Sequence, residues 1–160
     1  MDTNQGAGPH RMPDAVGFLL TQVGAHAAMS FGERMAALGL NPAQAGLLRI
    51  LIVQPGRSQR ELADELGMPP SRFVKFADEM EQRGLIERKP NPEDRRLHAL
   101  YLTQQGREQL GKVGAVAKEH EAHLTRSLTE EEHHQLSALL GRIAADQGLT
   151  AGIHPGYRKI

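Results

Sequence analysis

Residues 58–84 read SQRELADELGMPPSRFVKFADEMEQRG, and two helices separated by a tight turn are written into them. Ser58 with Glu61 three residues later is a capping box, the hydroxyl accepting an orphan backbone N–H while the carboxylate reaches back to the cap. A helix over Ser58 to Leu66 follows, with Leu62, Ala63 and Leu66 on one apolar face. Gly67 suits the left-handed residue that closes a helix. Pro70 suits the first position of the next, where its missing N–H is not needed. Phe73, Phe76, Ala77 and Met80 recur at spacings of three and four, which predicts a second helix from Pro70 to Arg83 buried along that stripe. Its other face carries Ser71, Arg72, Val74, Lys75, Asp78 and Glu79. The hydroxyl and the cations fall in the first two turns, the end that a groove-reading helix presents to DNA.

Beyond Gly84 the period changes. Leu85 and Ile86 lead through Arg88, Lys89 and Pro90 into the polar turn Asn91-Pro92-Glu93-Asp94, and from Leu97 to Thr103 the residues His98, Leu100 and Leu102 alternate with Leu97, Ala99 and Tyr101. Alternation predicts a half-buried strand and Asn-Pro a turn, hence a hairpin with two short strands around Asn91 to Arg96. Arg88, Lys89, Arg95 and Arg96 then gather at its tip or stem, where guanidinium groups suit the negative potential of a narrow minor groove. Helix, turn, helix and hairpin in this order define a winged helix-turn-helix, a mainly α (α+β) fold.

At these residues the sequence resembles the MarR family, the multiple-antibiotic-resistance regulators. Glu61-Leu62-Ala63, Gly67, Ser71, Asp78, Glu81, Arg83-Gly84-Leu85, Arg88, Pro92, Glu93-Asp94-Arg95-Arg96, Leu102-Thr103 and Gly106 fall in that family's order and spacing. The resemblance implies a dimeric winged-helix transcription regulator, usually a repressor of its own operon, released from DNA by a small aromatic or phenolic ligand or by oxidation. It also implies that Asp94 braces the wing while Arg95 or Arg96 enters the minor groove. Pro69-Pro70 replaces the polar pair that commonly opens the family's reading helix, and Val74 stands where a hydroxyl residue is common.

Composition narrows the reading. A chain of 160 residues with 39% apolar content fits one domain, or a DNA-reading lobe sharing its core with dimerising helices. Without cysteine, disulfides and thiol sensing are excluded, so release by oxidation of a thiol is not available. No run approaches the ~20 apolar residues that span a bilayer and no signal pattern opens the chain, so a cytoplasmic protein is expected. Between Arg57 and Arg96 nine basic residues meet nine acidic ones, so any affinity for DNA has to come from where the charges sit.

Taken in order, residues 1–13 read as a disordered tail. Residues 14–147 read as the winged-helix domain, with a reading lobe over 42–103 and dimerisation helices over 14–38 and 104–147. Asp14 is the expected cap of the first long helix, whose Val16, Leu19, Leu20, Val23, Ala27, Phe31, Met35 and Leu38 recur at helical spacing. Gly17, Gly24 and Gly32 each cost about 1 kcal/mol against Ala inside a helix, so this helix needs packing, expected from a second chain. Asn41 and Pro42 open the next helix, and Pro55-Gly56 is the turn into Ser58. Thr103 caps a helix to about Ser127; Thr129 with Glu132 forms a capping box for a last helix bearing Leu136, Leu139, Leu140 and Ile143 on one face. Residues 148–160 read as a flexible tail.

The candidate DNA-contacting residues are thus Ser71, Arg72, Lys75, Arg95 and Arg96, with Arg57 and Arg60 as phosphate contacts at the start of the supporting helix and Asp94 as the brace of the wing. The expected partners are operator DNA with an inverted repeat, a second copy of the chain, and a small aromatic effector. His120 and His123 share a helical face and invite a zinc-responsive reading, but in so charged a segment, Lys118 to His123, they read as solvated surface. His26 reads as a partly buried packing residue that can also hydrogen-bond an acidic ligand. No cofactor is expected. Lacking a phosphate loop, a nucleophile elbow or an HExxH motif, the sequence does not read as an enzyme. The competing reading is a winged-helix scaffold that binds protein and has lost DNA reading.

Overall fold

The computed structural model describes residues 15–92, 94 and 97–154. The order of elements is α1 (Val16–Ala37), α2 (Pro42–Val53), β1 (Arg57–Ser58), α3 (Gln59–Leu66), α4 (Pro70–Gln82), β2 (Ile86–Pro90), β3 (His98–Leu102), α5 (Gln104–Leu124) and α6 (Glu130–Asp146). The helix-turn-helix and the hairpin stand where the sequence puts them. Ser58 caps α3 with both bonds of the box, and the Ser58 hydroxyl, then its amide, hold the Glu61 carboxyl below its ordinary pKa. Gly67 closes α3 at φ 65°, and Pro70 opens α4. Asn41 with Gln44 and Thr129 with Glu132 make the same reciprocal arrangement at α2 and α6. Each such cap stabilises its helix by about 1 kcal/mol.

The core gathers α2, α3, α4 and the sheet around Leu47, Leu48, Leu51, Leu62, Leu66, Phe73, Met80, Ile86 and Leu100, none more than 1% exposed. Phe76, expected in the buried stripe of α4, is only half-buried and tilts against Phe73 with ring centroids 5.9 Å apart.

The sheet adds one strand to the sequence reading. The two hairpin strands flank the polar turn as expected, and a third, β1, follows the Pro55-Gly56 turn and includes Ser58, giving the antiparallel order β1-β3-β2. Two residues are too few to show an alternating pattern; the strand exists because Gly56, at φ 81°, lets its N–H donate to the Leu100 carbonyl at 2.9 Å. As the central strand, β3 buries neighbours on both faces, Ala99 as well as Leu100, so it is not half-buried by alternation. Ala15, not Asp14, is the N-cap of α1 and makes no side-chain cap bond; Asp14 lies outside the described residues. Helix α5 stops at Leu124, three residues before the expected end, as Thr125 turns its hydroxyl onto the Glu121 carbonyl.

The stretch expected to be a flexible tail from Gly148 turns back, as far as it is described, across α2. Arg49 donates to the Gly152 carbonyl, and Ile153 packs at the edge of the core. Among the described residues no single helix is long and apolar enough to cross a membrane.

One close approach fixes how α5 leaves the sheet. Thr103 caps the helix through the Gly106 N–H at 3.0 Å, and Thr103 N–H itself donates to Leu85. That draws the first turn of α5 onto the chain at Leu85, where a Cβ on Gly106 would overlap the Leu85 carbonyl oxygen. Gly106→Ala is therefore expected to lower stability by about 3 kcal/mol, read as a lower urea midpoint with an unchanged slope at fixed protein concentration.

Candidate nucleic-acid interface

Helix α4 is held along its C-terminal half, and the way it is held decides which of its charges face solvent. From the wing strand β2, the Arg88 side chain, 13% exposed, turns inward to the helix. Its guanidinium pairs with Asp78 at 2.7 Å and with Glu81, reaches the Val74 carbonyl at 3.4 Å, and its Nε donates to Gln59 of α3 at 3.0 Å. Arg88 thus lies in the stem of the hairpin, one of the two places expected, but its charge is turned in by three acceptors on α4 and one on α3. In the same half of the helix Gln44 of α2 donates to Glu79 at 2.8 Å, and Arg83 donates to the Gly39 carbonyl at 2.7 Å.

Four cations of the lobe are held in ion pairs of this kind. Arg57 pairs with Glu65, Arg83 with Glu79, Arg88 with Asp78 and Glu81, and Lys89 with Glu87. Among the described cations from Arg57 to Lys89, Arg60, Arg72 and Lys75 have no carboxylate within 4.0 Å. All three are exposed, and so is Ser71. Ser71, Arg72 and Lys75 lie in the first two turns of α4, away from the face on which Phe73, Ala77 and Met80 are buried. The acids of the helix follow in its second half, tied back as described.

Two expected contacts change. Arg57 is not at the start of the supporting helix but in β1, half-buried, its guanidinium held by Glu65 and by Gln54 at 2.9 Å, and so is not free for a phosphate. Arg95 and Arg96 lie outside the described residues; Asp94 is described and exposed.

The histidines also differ from their reading. His26 is exposed on α1 rather than partly buried. His120 is no solvated residue: it is 8% exposed, its ring 5.4 Å from that of Phe31 on α1, and its Nδ1 has no hydrogen-bond partner among the described residues. The signal was present, since Val113, Val116 and His120 share a helical face, but the charged neighbours masked it. His123 stays exposed. Among the described residues no group of three His, Cys, Asp or Glu is placed to hold a metal ion.

An exposed, cation-bearing second helix braced by a β-hairpin defines a winged helix-turn-helix of the nucleic-acid-reading class. Comparison with known proteins narrows the class. Residues 38–97 match the model of the MarR family. The chain is 34% identical to the HTH-type transcriptional repressor MdtR of Bacillus subtilis over 70% of its own length and 72% of that protein's. A Thauera aromatica protein assigned to transcriptional regulation of the hcr operon is 30% identical over 66% of this chain, which spans 63% of that protein's length. Among solved structures, the transcriptional repressor CouR bound to a 23-mer DNA duplex superposes with a TM-score of 0.73 and 34% identity, covering 87% of this chain and 99% of CouR. The chain belongs to the MarR family of transcriptional regulators.

Two outcomes are expected from this geometry. Arg88→Leu leaves Asp78 and Glu81 facing each other without a cation and should cost about 2 kcal/mol, measurable by urea unfolding. Burial, and after it the nearby Arg34, holds the His120 pKa below the ordinary histidine value; Glu121 opposes this and His123 adds to it. The unfolded chain therefore takes up this proton first as pH falls. The stability difference is absent above the ordinary pKa of about 6.5 and grows from there down to the lower folded value. His120→Leu should make the urea midpoint less sensitive to acid between about pH 7 and pH 5; an equally steep loss in the variant would count against a buried neutral imidazole.

Proposed function

We propose that this chain is a homodimeric repressor that reads an inverted-repeat operator, setting one copy of α4 into each of two major grooves about one helical turn, ~34–36 Å, apart. The observation that carries it is the sorting of charge on α4: its acids Asp78, Glu79 and Glu81 are held by internal pairs in its second half, and Arg72 and Lys75, beside Ser71, are left outward on its first turns. In this reading Ser71 and Arg72 grip phosphate, Lys75 reaches toward base edges, and Arg60 on α3 meets the flanking backbone. Arg95 and Arg96 enter the minor groove beyond, with Asp94 as their brace, as the resemblance implies. The DNA-bound CouR supports this docking.

A second copy is supported by what one chain leaves uncovered. No residue of α6 is buried; Leu136, Leu139, Leu140 and Ile143 stand open along it, as do Val16, Phe18, Leu19, Leu20 and Val23 along α1. A Cβ added at Gly17, Gly24 or Gly32 would meet nothing within 4 Å, so packing within the chain does not ask for glycine there. Pairing these stripes across a two-fold axis buries them and fixes the distance between the two α4 helices. A small aromatic effector between the paired helices and the reading lobe then releases DNA only to the extent that it prefers a different spacing.

The test is fluorescence anisotropy with the DNA upstream of the protein's own gene, over a salt series. Affinity should fall steeply with salt. Arg72→Ala, removing one phosphate contact from each subunit, should lower the log–log slope by about 2. Arg95→Ala with Arg96→Ala should weaken binding further. Binding indifferent to salt and to all three substitutions, or capture of a protein partner that survives high salt with no DNA shift, would sink the proposal in favour of a scaffold.

A further inference from the structure

Val74 stands on the reading face of α4, and nothing in the fold explains an apolar residue there. It is 42% exposed, although Phe73 beside it and Ala77, about one turn on and on a neighbouring part of the helix surface, are fully buried. Ser71 and Lys75 flank it, so it sits among the groups proposed to approach DNA. Its backbone is fixed, since Arg88 reaches the Val74 carbonyl at 3.4 Å while pairing with Asp78, the residue one turn further on. That pairing also ties up Asp78, the carboxylate one turn from Val74 on the helix, while the exposed Asp64 of α3 lines the cavity beside Val74. Pro70, one turn before it, and Leu97 of the wing line the same open cavity of about 460 Å³ as Val74.

Resting on the reading of the chain as a DNA-binding repressor, we infer that Val74 is a specificity-determining residue that recognises thymine through its C5-methyl group. The chemistry leaves few alternatives. A valine side chain offers no hydrogen bond, so it discriminates base edges by apolar contact, and among the four bases only thymine displays a methyl group in the major groove. Valine in a helix is held mainly in one rotamer, so its two methyls are presented with little ordering still to be done. Where a hydroxyl at this position can turn to donate or accept and so tolerates several bases, valine at 74 narrows the choice to one. The operator half-site therefore contains a thymine opposite Val74, next to the base pair that Lys75 approaches.

The experiment selects the preferred duplex from a random pool with the full-length protein, then replaces each thymine singly by deoxyuridine, which removes only the methyl group. In the native protein one thymine per half-site should respond, with affinity falling about fourfold for a single replacement, the worth of one buried methyl group. The paired replacement in both half-sites should cost roughly the product of the two. Val74→Ala, which keeps a good helix former at an exposed position, should bind with reduced affinity and be indifferent to the same replacement, and Val74→Ser should in addition accept other bases there. If every thymine tolerates loss of its methyl, or if Val74→Ala remains as sensitive as the native protein, the methyl contact is refuted while DNA reading stands. Enrichment of no duplex at all would overturn the reading on which the contact rests.

Discussion

The guanidinium of Arg88 is the constraint from which the reading lobe takes its shape. It belongs to the wing strand β2, yet its partners are Asp78, Glu81 and the Val74 carbonyl on α4 and Gln59 on α3. One planar cation therefore ties wing, reading helix and supporting helix together. A lysine could not serve, because the arrangement uses several donors fixed in one plane. The Arg88 backbone N–H adds a bond to Glu81 at 3.0 Å, so even the strand that carries the wing is stitched directly to the helix.

From that constraint follows the electrostatic character of the surface. With a net charge of zero the chain has no excess of cations to spread over DNA. The fold pairs the acids of α4 with Arg83 and Arg88 in its second half and leaves Arg72 and Lys75 as unpaired cations on its first turns. Such a surface attracts DNA weakly at long range and distinguishes sequences through close contact, which suits a regulator that must leave nonspecific DNA readily.

Much of this was legible in the sequence because it rests on local rules. Caps, the glycine of the turn and the period of Phe73, Ala77 and Met80 each need only a few neighbouring residues, and the boundaries of α3 and α4 followed from them. What was not legible depends on partners distant in sequence. That Arg88 points inward rests on Gln59, 29 residues away, as well as on α4. That Arg57 is taken by Glu65 rests on β1, a strand of two residues formed only because β3 lies beside it. His120 was misread for the opposite reason: its sequence neighbours are charged, but a helix places it beside Phe31 rather than beside them.

The corner between α1 and α2 is gripped from two directions. Gln109 of α5 donates to the Leu38 carbonyl at 2.8 Å, and one residue on, Arg83 at the end of α4 donates to Gly39. A hinge bound on both flanks by directional bonds yields little, so the lobe and the long helices meet at a stiff elbow. A tilt of the long helices that keeps these bonds carries the lobe with it as a lever, and a small angle of tilt becomes a larger displacement at the far end of the lobe.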